Sequence, residues 1–302
     1  MNKRFFIIFL LILCFAFPGC VFEKEKDDGI KIISTVFPGY DFAKQIIGDS
    51  ENITVQQLLQ PGTESHGFEP SPKDIIAIEK CDLFIYVGGE SDTWVDKILN
   101  SMQSPPKTIK MMDYASLLQD EHGHNGHTEY DEHVWTSLIN SINIIQSICH
   151  EICLLDESNS EKYNKNSMNY CTEIENLKQE FTDFFANCEN KKLVFGDRFP
   201  FIYFAKEFGL EYIAAFPGCN GETEPDAGTL AKIIDTVEKE GIKAIFFIEN
   251  SNCNVAEAIA EETGAKAKLF HSCHNVSLKE IENGITYLSL MRQNLETVME
   301  VM

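Results

Sequence analysis

The chain has 302 residues, with 44% hydrophobic and 24% charged side chains. That is enough apolar material for a packed core and length for about two domains, and it excludes a disordered tail, a collagen and a coiled coil. The 25 Lys and Arg stand against 47 Asp and Glu, a formal charge of −22. Such a surface repels phosphate backbones, so nucleic acid is excluded as a partner.

Residues 1–20 read as an address. Asn2-Lys3-Arg4 is basic, and Phe5 to Phe17 is a nearly unbroken apolar run of thirteen residues. The run is shorter than the ~20 residues a membrane-spanning helix needs and fits the apolar part of a secretory signal. It ends in Phe17-Pro18-Gly19-Cys20, which resembles a lipobox with Cys20 as the lipidated N-terminus. An ordinary secretory signal cut nearby is the alternative. Residues 21–29 are charged and read as a tether between membrane and domain. Ten cysteines are present, none spaced CxxC, so a zinc ribbon is not expected and most read as free buried thiols.

From residue 30 the sequence looks like one unit used twice. Lys31–Val36 reads as a strand and runs into Phe37-Pro38-Gly39-Tyr40-Asp41-Phe42-Ala43-Lys44; Lys192–Phe195 reads as a strand leading to Phe199-Pro200-Phe201-Ile202-Tyr203-Phe204-Ala205-Lys206. Both follow F-P-x-x-x-F-A-K and close on a glycine, Gly48 or Gly209. Strands follow at 53–59 and 211–216, helices at 73–80 and 229–240, strands at 83–87 and 244–248, helices near 94–102 and 255–263, and strands at 107–112 and 266–270. Strands alternating with helices predict an α/β fold: two lobes, each a four-stranded parallel sheet with flanking helices. Residues 158–188 lack Gly and Pro and carry Tyr163, Met168, Cys171, Ile174, Leu177, Phe181 and Phe184/Phe185 at helical spacing. They predict one long central helix joining the lobes, stiff enough to favour small lobe rotation over a wide hinge motion. The expected division is a lobe over 30–157, a linking helix over 158–190 and a lobe over 191–302.

Ligands of open parallel sheets sit beyond the carboxyl ends of the strands. Seven of the eight histidines fall there: His66, His122, His124, His127, His133, His271 and His274, with only His150 inside a predicted helix. Neutral imidazole is the commonest transition-metal ligand, and several imidazoles with a carboxylate suit zinc.

Residues 61–72, with Pro61-Gly62, Ser65-His66 and Glu69-Pro70-Ser71-Pro72, form one motif, and Asp131-x-His133-x-Trp135 forms a second. With the His-rich loop, the long helix and Tyr203-Phe204-Ala205-Lys206-x-x-Gly209-Leu210, the chain resembles the zinc- and manganese-binding lipoproteins that feed ABC importers. The resemblance implies metal ligands at His66, His133 and His271. The family's remaining ligand, a His or Glu, falls on Arg198, which cannot bind a metal. Asp197 is the nearest replacement, with His274 or a water as the alternative. His122, His124 and His127 form an accessory metal-collecting loop. A disulfide between Cys219 and Cys273 is expected at the same edge, the rival being Cys273 as a soft metal ligand.

The function implied is an extracytoplasmic receptor that captures Zn2+, or else Mn2+, in the inter-lobe cleft and delivers it to a membrane permease and its ATPase. It would be a monomer, anchored by lipid to the outer face of the cytoplasmic membrane or periplasmic. A secreted zinc-dependent hydrolase is the competing class, with Glu64 or Glu69 as base. It needs an open coordination position, and the chain has no HExxH helix. A receptor for another chelated metal or cofactor is a third reading, disfavoured by the His-rich loop.

Overall fold

The computed structural model describes residues 29–63, 67–119, 130–216 and 225–302. Cys20, His66, His122, His124, His127 and Cys219 lie outside the described residues. The first lobe runs β1 (Ile30–Ser34), α1 (Phe37–Ile47), β2 (Ile53–Gln57), α2 (Pro72–Lys80), β3 (Leu83–Tyr86), α3 (Thr93–Ser101), β4 (Lys107–Lys110) and α4 (Leu138–Leu155). The long helix α5 spans Ser160–Ala186. The second lobe runs β5 (Lys192–Phe195), α6 (Ile202–Phe208), β6 (Glu211–Ala214), α7 (Ala227–Glu240), β7 (Ala244–Phe247), α8 (Asn254–Thr263), β8 (Lys266–Leu269), α9 (Leu278–Glu282) and α10 (Tyr287–Val301).

Both sheets are parallel and share one strand order, β2-β1-β3-β4 and β6-β5-β7-β8. The order reverses between β1 and β3 and between β5 and β7, which opens a crevice at the carboxyl ends of those strands. The central strands are the apolar ones: β3 and β5 are buried almost throughout, because helices cover both faces. The outer strands Ile53–Gln57, Lys107–Lys110 and Lys266–Leu269 are more exposed, with Thr54, Gln56, Lys107 and Lys266 facing solvent. The two repeats start their first helices differently. Phe37 opens α1 with Pro38 in its first turn, whereas Phe199 stacks on Tyr212 of β6, centroids 3.8 Å apart, and α6 starts only at Ile202.

At ~1.5 Å rise per residue, the 27 residues of α5 extend about 40 Å. Its buried face is Tyr163, Ser167, Tyr170, Ile174, Leu177, Phe181 and Phe185, so the expected stripe shifts by part of a turn and Met168 faces solvent. This face contacts α1 and α4 of the first lobe and α6 of the second, and one apolar core runs through both lobes. Helix α4 has the length and composition of a membrane-crossing segment, but Ile144, Ile145, Ile148 and Ile152 are fully buried in that core.

Helix α10 had no counterpart in the sequence reading. Its N-terminal turn docks on the first lobe, where the buried Asp41 of α1 accepts hydrogen bonds from Gln45 Nε2 (2.9 Å), Tyr170 Oη of α5 (2.8 Å) and the Tyr287 backbone N–H of α10 (2.9 Å). Burial raises this carboxyl above its usual range while those donors pull it back. Asp41→Ala strands buried donors on two other helices and is expected to lower stability by about 2–4 kcal/mol in urea denaturation. A loss under about 1 kcal/mol would mean the node carries no weight.

Candidate metal centre

His133 follows β4 and the residue 120–129 segment. The chain on either side of that segment is joined by an antiparallel bridge between Gln119 and Tyr130 and by the Asp131 N–H to the Leu118 carbonyl (3.0 Å). Asp131 then turns back on His133: its Oδ1 accepts the His133 backbone N–H (2.8 Å) and lies 3.2 Å from Nδ1. A carboxylate at Nδ1 fixes the tautomer with its lone pair on Nε2 and makes that nitrogen a better metal ligand. Tyr203 of α6 braces the turn from the second lobe, donating to the Asp131 carbonyl (2.7 Å) and accepting from the Leu118 N–H (3.2 Å).

His274 reaches the same place from beyond β8. The two imidazoles, one from each lobe, have centroids 5.4 Å apart at 82°. Two imidazoles on one tetrahedral zinc, at Zn–N of about 2.0–2.1 Å, place their centroids roughly 5 Å apart. The centroid spacing of the pair thus matches that of two imidazoles on one ion. Trp135 backs both rings, with centroids 5.4 Å from His133 and 4.9 Å from His274, and its Nε1 donates to the Ser272 carbonyl across the lobes (2.8 Å).

His271 is engaged differently. Its Nδ1 accepts the Cys273 N–H (2.9 Å) and lies 3.5 Å from Glu249 Oε2, and its Nε2 lies 3.7 Å from Glu280 Oε1. Its backbone N–H and carbonyl pair with the Asn294 side chain of α10 (2.7 and 2.8 Å). His271 thus anchors the strand end to α10. Asp197 is likewise occupied: Oδ1 accepts the Arg198 N–H (2.8 Å) and Oδ2 the Ile248 N–H (3.2 Å), tying the ends of β5 and β7 together. Cys219, the expected disulfide partner of Cys273, lies outside the described residues. Cys273 itself is a free thiol with φ of 62°, turned into the apolar core and fully buried, and burial drives its pKa well above the usual thiol range. All seven cysteines among the described residues are free.

The sequence reading passed over Glu249, although the strand-end rule applied after β7 would have found it. Glu249 accepts the Ser272 N–H (2.7 Å), the Ser272 hydroxyl and the His274 N–H (3.1 Å), so one carboxylate shapes the turn that presents His274. The first lobe has a matching feature. Asp92 Oδ2 accepts the Val87 and Gly88 N–H groups (2.7 and 3.1 Å), and Glu132 accepts the Ser91 N–H (3.0 Å) and hydroxyl. Gly89 permits this, since a Cβ there would stand 2.3 Å from Glu132. A small hollow of about 10 Å3 beside His274 is lined from the first lobe by Thr35, Leu59, Phe68, Ser91, Asp92 and Glu132.

Among the described residues no three His, Cys, Asp or Glu side chains gather as a metal-binding group. Of the expected ligands, the structure brings His133 and His274 together, directs His271 and Asp197 to backbone contacts, and leaves His66 outside the described residues. Two parallel α/β lobes on one long helix, with an imidazole from each meeting at the crevice, define a two-lobed binding protein.

The family model for the periplasmic zinc-uptake complex component A, ZnuA, matches residues 32–301, and the chain belongs to that family. The zinc-binding protein AdcA of Streptococcus pyogenes is 31% identical over 319 residues, 99% of this chain and 61% of that protein. The chain thus spans about three-fifths of the length of the AdcA proteins it matches. The high-affinity zinc uptake system protein ZnuA of Bacillus subtilis is 29% identical over 99% of this chain and 98% of its own length. The crystal structure of the Zn(II)-bound ZnuA-like domain of Streptococcus pneumoniae AdcA superposes with a TM-score of 0.75 at 28% identity, covering 90% of this chain and 98% of that one.

Burial, with the Glu132 charge adding to it, raises the Asp92 carboxyl from 3.8 to about 7. Between those values the folded chain holds a proton that the unfolded chain has released, so stability falls as pH climbs through the window. Asp92→Asn keeps an acceptor for Val87 and Gly88 and removes the charge. The variant should be more stable than the parent by about 2–4 kcal/mol at pH 8, with the gain gone at pH 4. Melting curves at pH 4, 6 and 8 test this; a pH-independent difference would contradict it.

Proposed function

We propose that this protein is the extracytoplasmic receptor of a metal ABC importer. It captures Zn2+ between the lobes and delivers it to a membrane permease driven by its ATPase. The observation that carries this reading is the His133–His274 pair, with one imidazole from each lobe at a spacing suited to a shared ion. His66 is the third ligand in this proposal. It lies three residues beyond Thr63, whose carbonyl accepts a hydrogen bond from Asn275, next to His274 in sequence (2.9 Å). His271 and Asp197, expected as ligands from the sequence, become supports of the strand ends. The zinc-binding and zinc-uptake names of the relatives support the same reading. Imidazole donors favour zinc over manganese, which prefers oxygen. A secreted hydrolase finds no support among these relatives.

His122, His124 and His127 are assigned to collecting the ion. The segment that holds them enters and leaves through the Gln119–Tyr130 bridge, close to Asp131 and His133. Cys20 is assigned as the lipid anchor, which keeps the domain at the outer face of the membrane.

Elemental analysis of the purified protein should give zinc in the parent. His274→Ala should lower zinc affinity at least about a hundredfold, and His271→Ala should reduce stability more than affinity, since its ring holds the Cys273 N–H. Full affinity in His274→Ala with loss in His271→Ala would reverse the assignment. Affinity is also expected to fall as pH drops through about 7 to 6, because protons compete for the imidazoles. Calorimetric titrations that stay flat down to about pH 5 would rule out a histidine-based site.

A further inference from the structure

Asn275 follows His274 and is almost fully buried between the lobes, with 2% of its surface exposed. Its side chain uses all of its hydrogen-bonding capacity, two donated and two accepted. Nδ2 donates to the carbonyls of Gln60 (2.7 Å) and Thr63 (2.9 Å) in the first lobe. Oδ1 accepts from Gln57 Nε2 (2.9 Å) at the end of β2 and from the Val276 N–H (2.9 Å). The backbone on either side adds two further inter-lobe bonds, Phe37 N–H to the His274 carbonyl (3.3 Å) and Gly62 N–H to the Val276 carbonyl (2.9 Å). Every one of these first-lobe partners lies at the carboxyl end of β1 or β2, and Thr63 is three residues from His66.

We infer that Asn275 is a latch between the lobes, a positioning residue that fixes the chain carrying His66 against the chain carrying His274. The inference rests on the metal-capture reading above. The physical basis is the completeness of the contacts. A buried amide satisfied on both sides holds one geometry, because any lobe displacement leaves a polar group unpaired in a site with little water. Other side chains of similar size do not substitute. Aspartate sets a carboxylate against the Gln60 and Thr63 carbonyls, and leucine leaves both carbonyls and the Val276 N–H without their partner. The latch is made of protein groups alone, so it holds the ligand-bearing segments in register before the ion arrives. Losing one of these bonds lets the ligand-bearing segments drift from the bound ion, which then leaves faster.

The test is the split between release and capture of Zn2+. Zinc dissociation is followed by stopped flow with a chromophoric chelator, and association with free Zn2+ is followed directly, using the parent, Asn275→Asp, Gln57→Leu and the double variant. None of these positions is assigned as a ligand. Asn275→Asp is expected to speed dissociation at least about tenfold, the size of one or two lost neutral hydrogen bonds, with association changed less than about threefold. Gln57→Leu should move dissociation in the same direction from the other lobe, and the double variant should fall short of the product of the two effects. Melting of the metal-free proteins is recorded alongside. If Asn275→Asp does not fold, Gln57→Leu alone decides the question by its dissociation rate. Variants that bind zinc and release it at the parent rate would overturn the latch and leave the metal-binding reading in place. Slower association with unchanged release would overturn it equally. A parent that binds no zinc would overturn the latch and the proposed function together.

Discussion

The short stretch from His271 to Val276 depends on contacts from three directions, and the arrangement of the cleft depends on it. Glu249 holds it from within the second lobe through the Ser272 and His274 N–H groups. Trp135 holds it from the first lobe through the Ser272 carbonyl. Asn294 of α10 holds its start through both backbone groups of His271. A segment with no regular secondary structure would otherwise leave its polar backbone groups unpaired in a buried place. These side chains meet that requirement, and in doing so they place the His274 ring beside His133.

The same requirement explains the division of labour among the polar residues of the cleft. Asp92, Asp131, Glu132, Asp197 and Glu249 all accept backbone N–H groups at strand ends and turns. Parallel strands end with unpaired N–H groups at the crevice, and carboxylates satisfy them with strong charge-assisted bonds. These carboxylates thereby shape the loops, and in the proposed site imidazoles face the ion. This favours a borderline-soft dication such as zinc over a hard one.

Much of the fold was legible because hydrophobic period and strand length are local signals. The eight strands, the repeated F-P-x-x-x-F-A-K segment and the stiff helix lie where the pattern put them, to within a few residues at the ends. Deviations have tertiary causes. Met168 belongs to the apolar stripe by spacing, yet the partner helices face the side of α5 that carries Tyr170. Helix α10 went unread, and its entry is fixed by Asp41, 246 residues away in the chain. In the site, the strand-end rule found the histidines but did not show which of His271 and His274 stands beside His133, since both follow β8.

The sequence by itself determined the α/β class, the doubling of the lobe, the strand ends that carry the chemistry and the use of histidine there, because each depends on residue type and spacing along the chain. Tertiary structure alone decided which imidazole faces the partner lobe, that Cys273 points into the core, and that Asn275 spans the cleft. Those outcomes depend on which backbone N–H and C=O groups from distant segments arrive unpaired at the same place, and spacing along one chain does not encode that meeting.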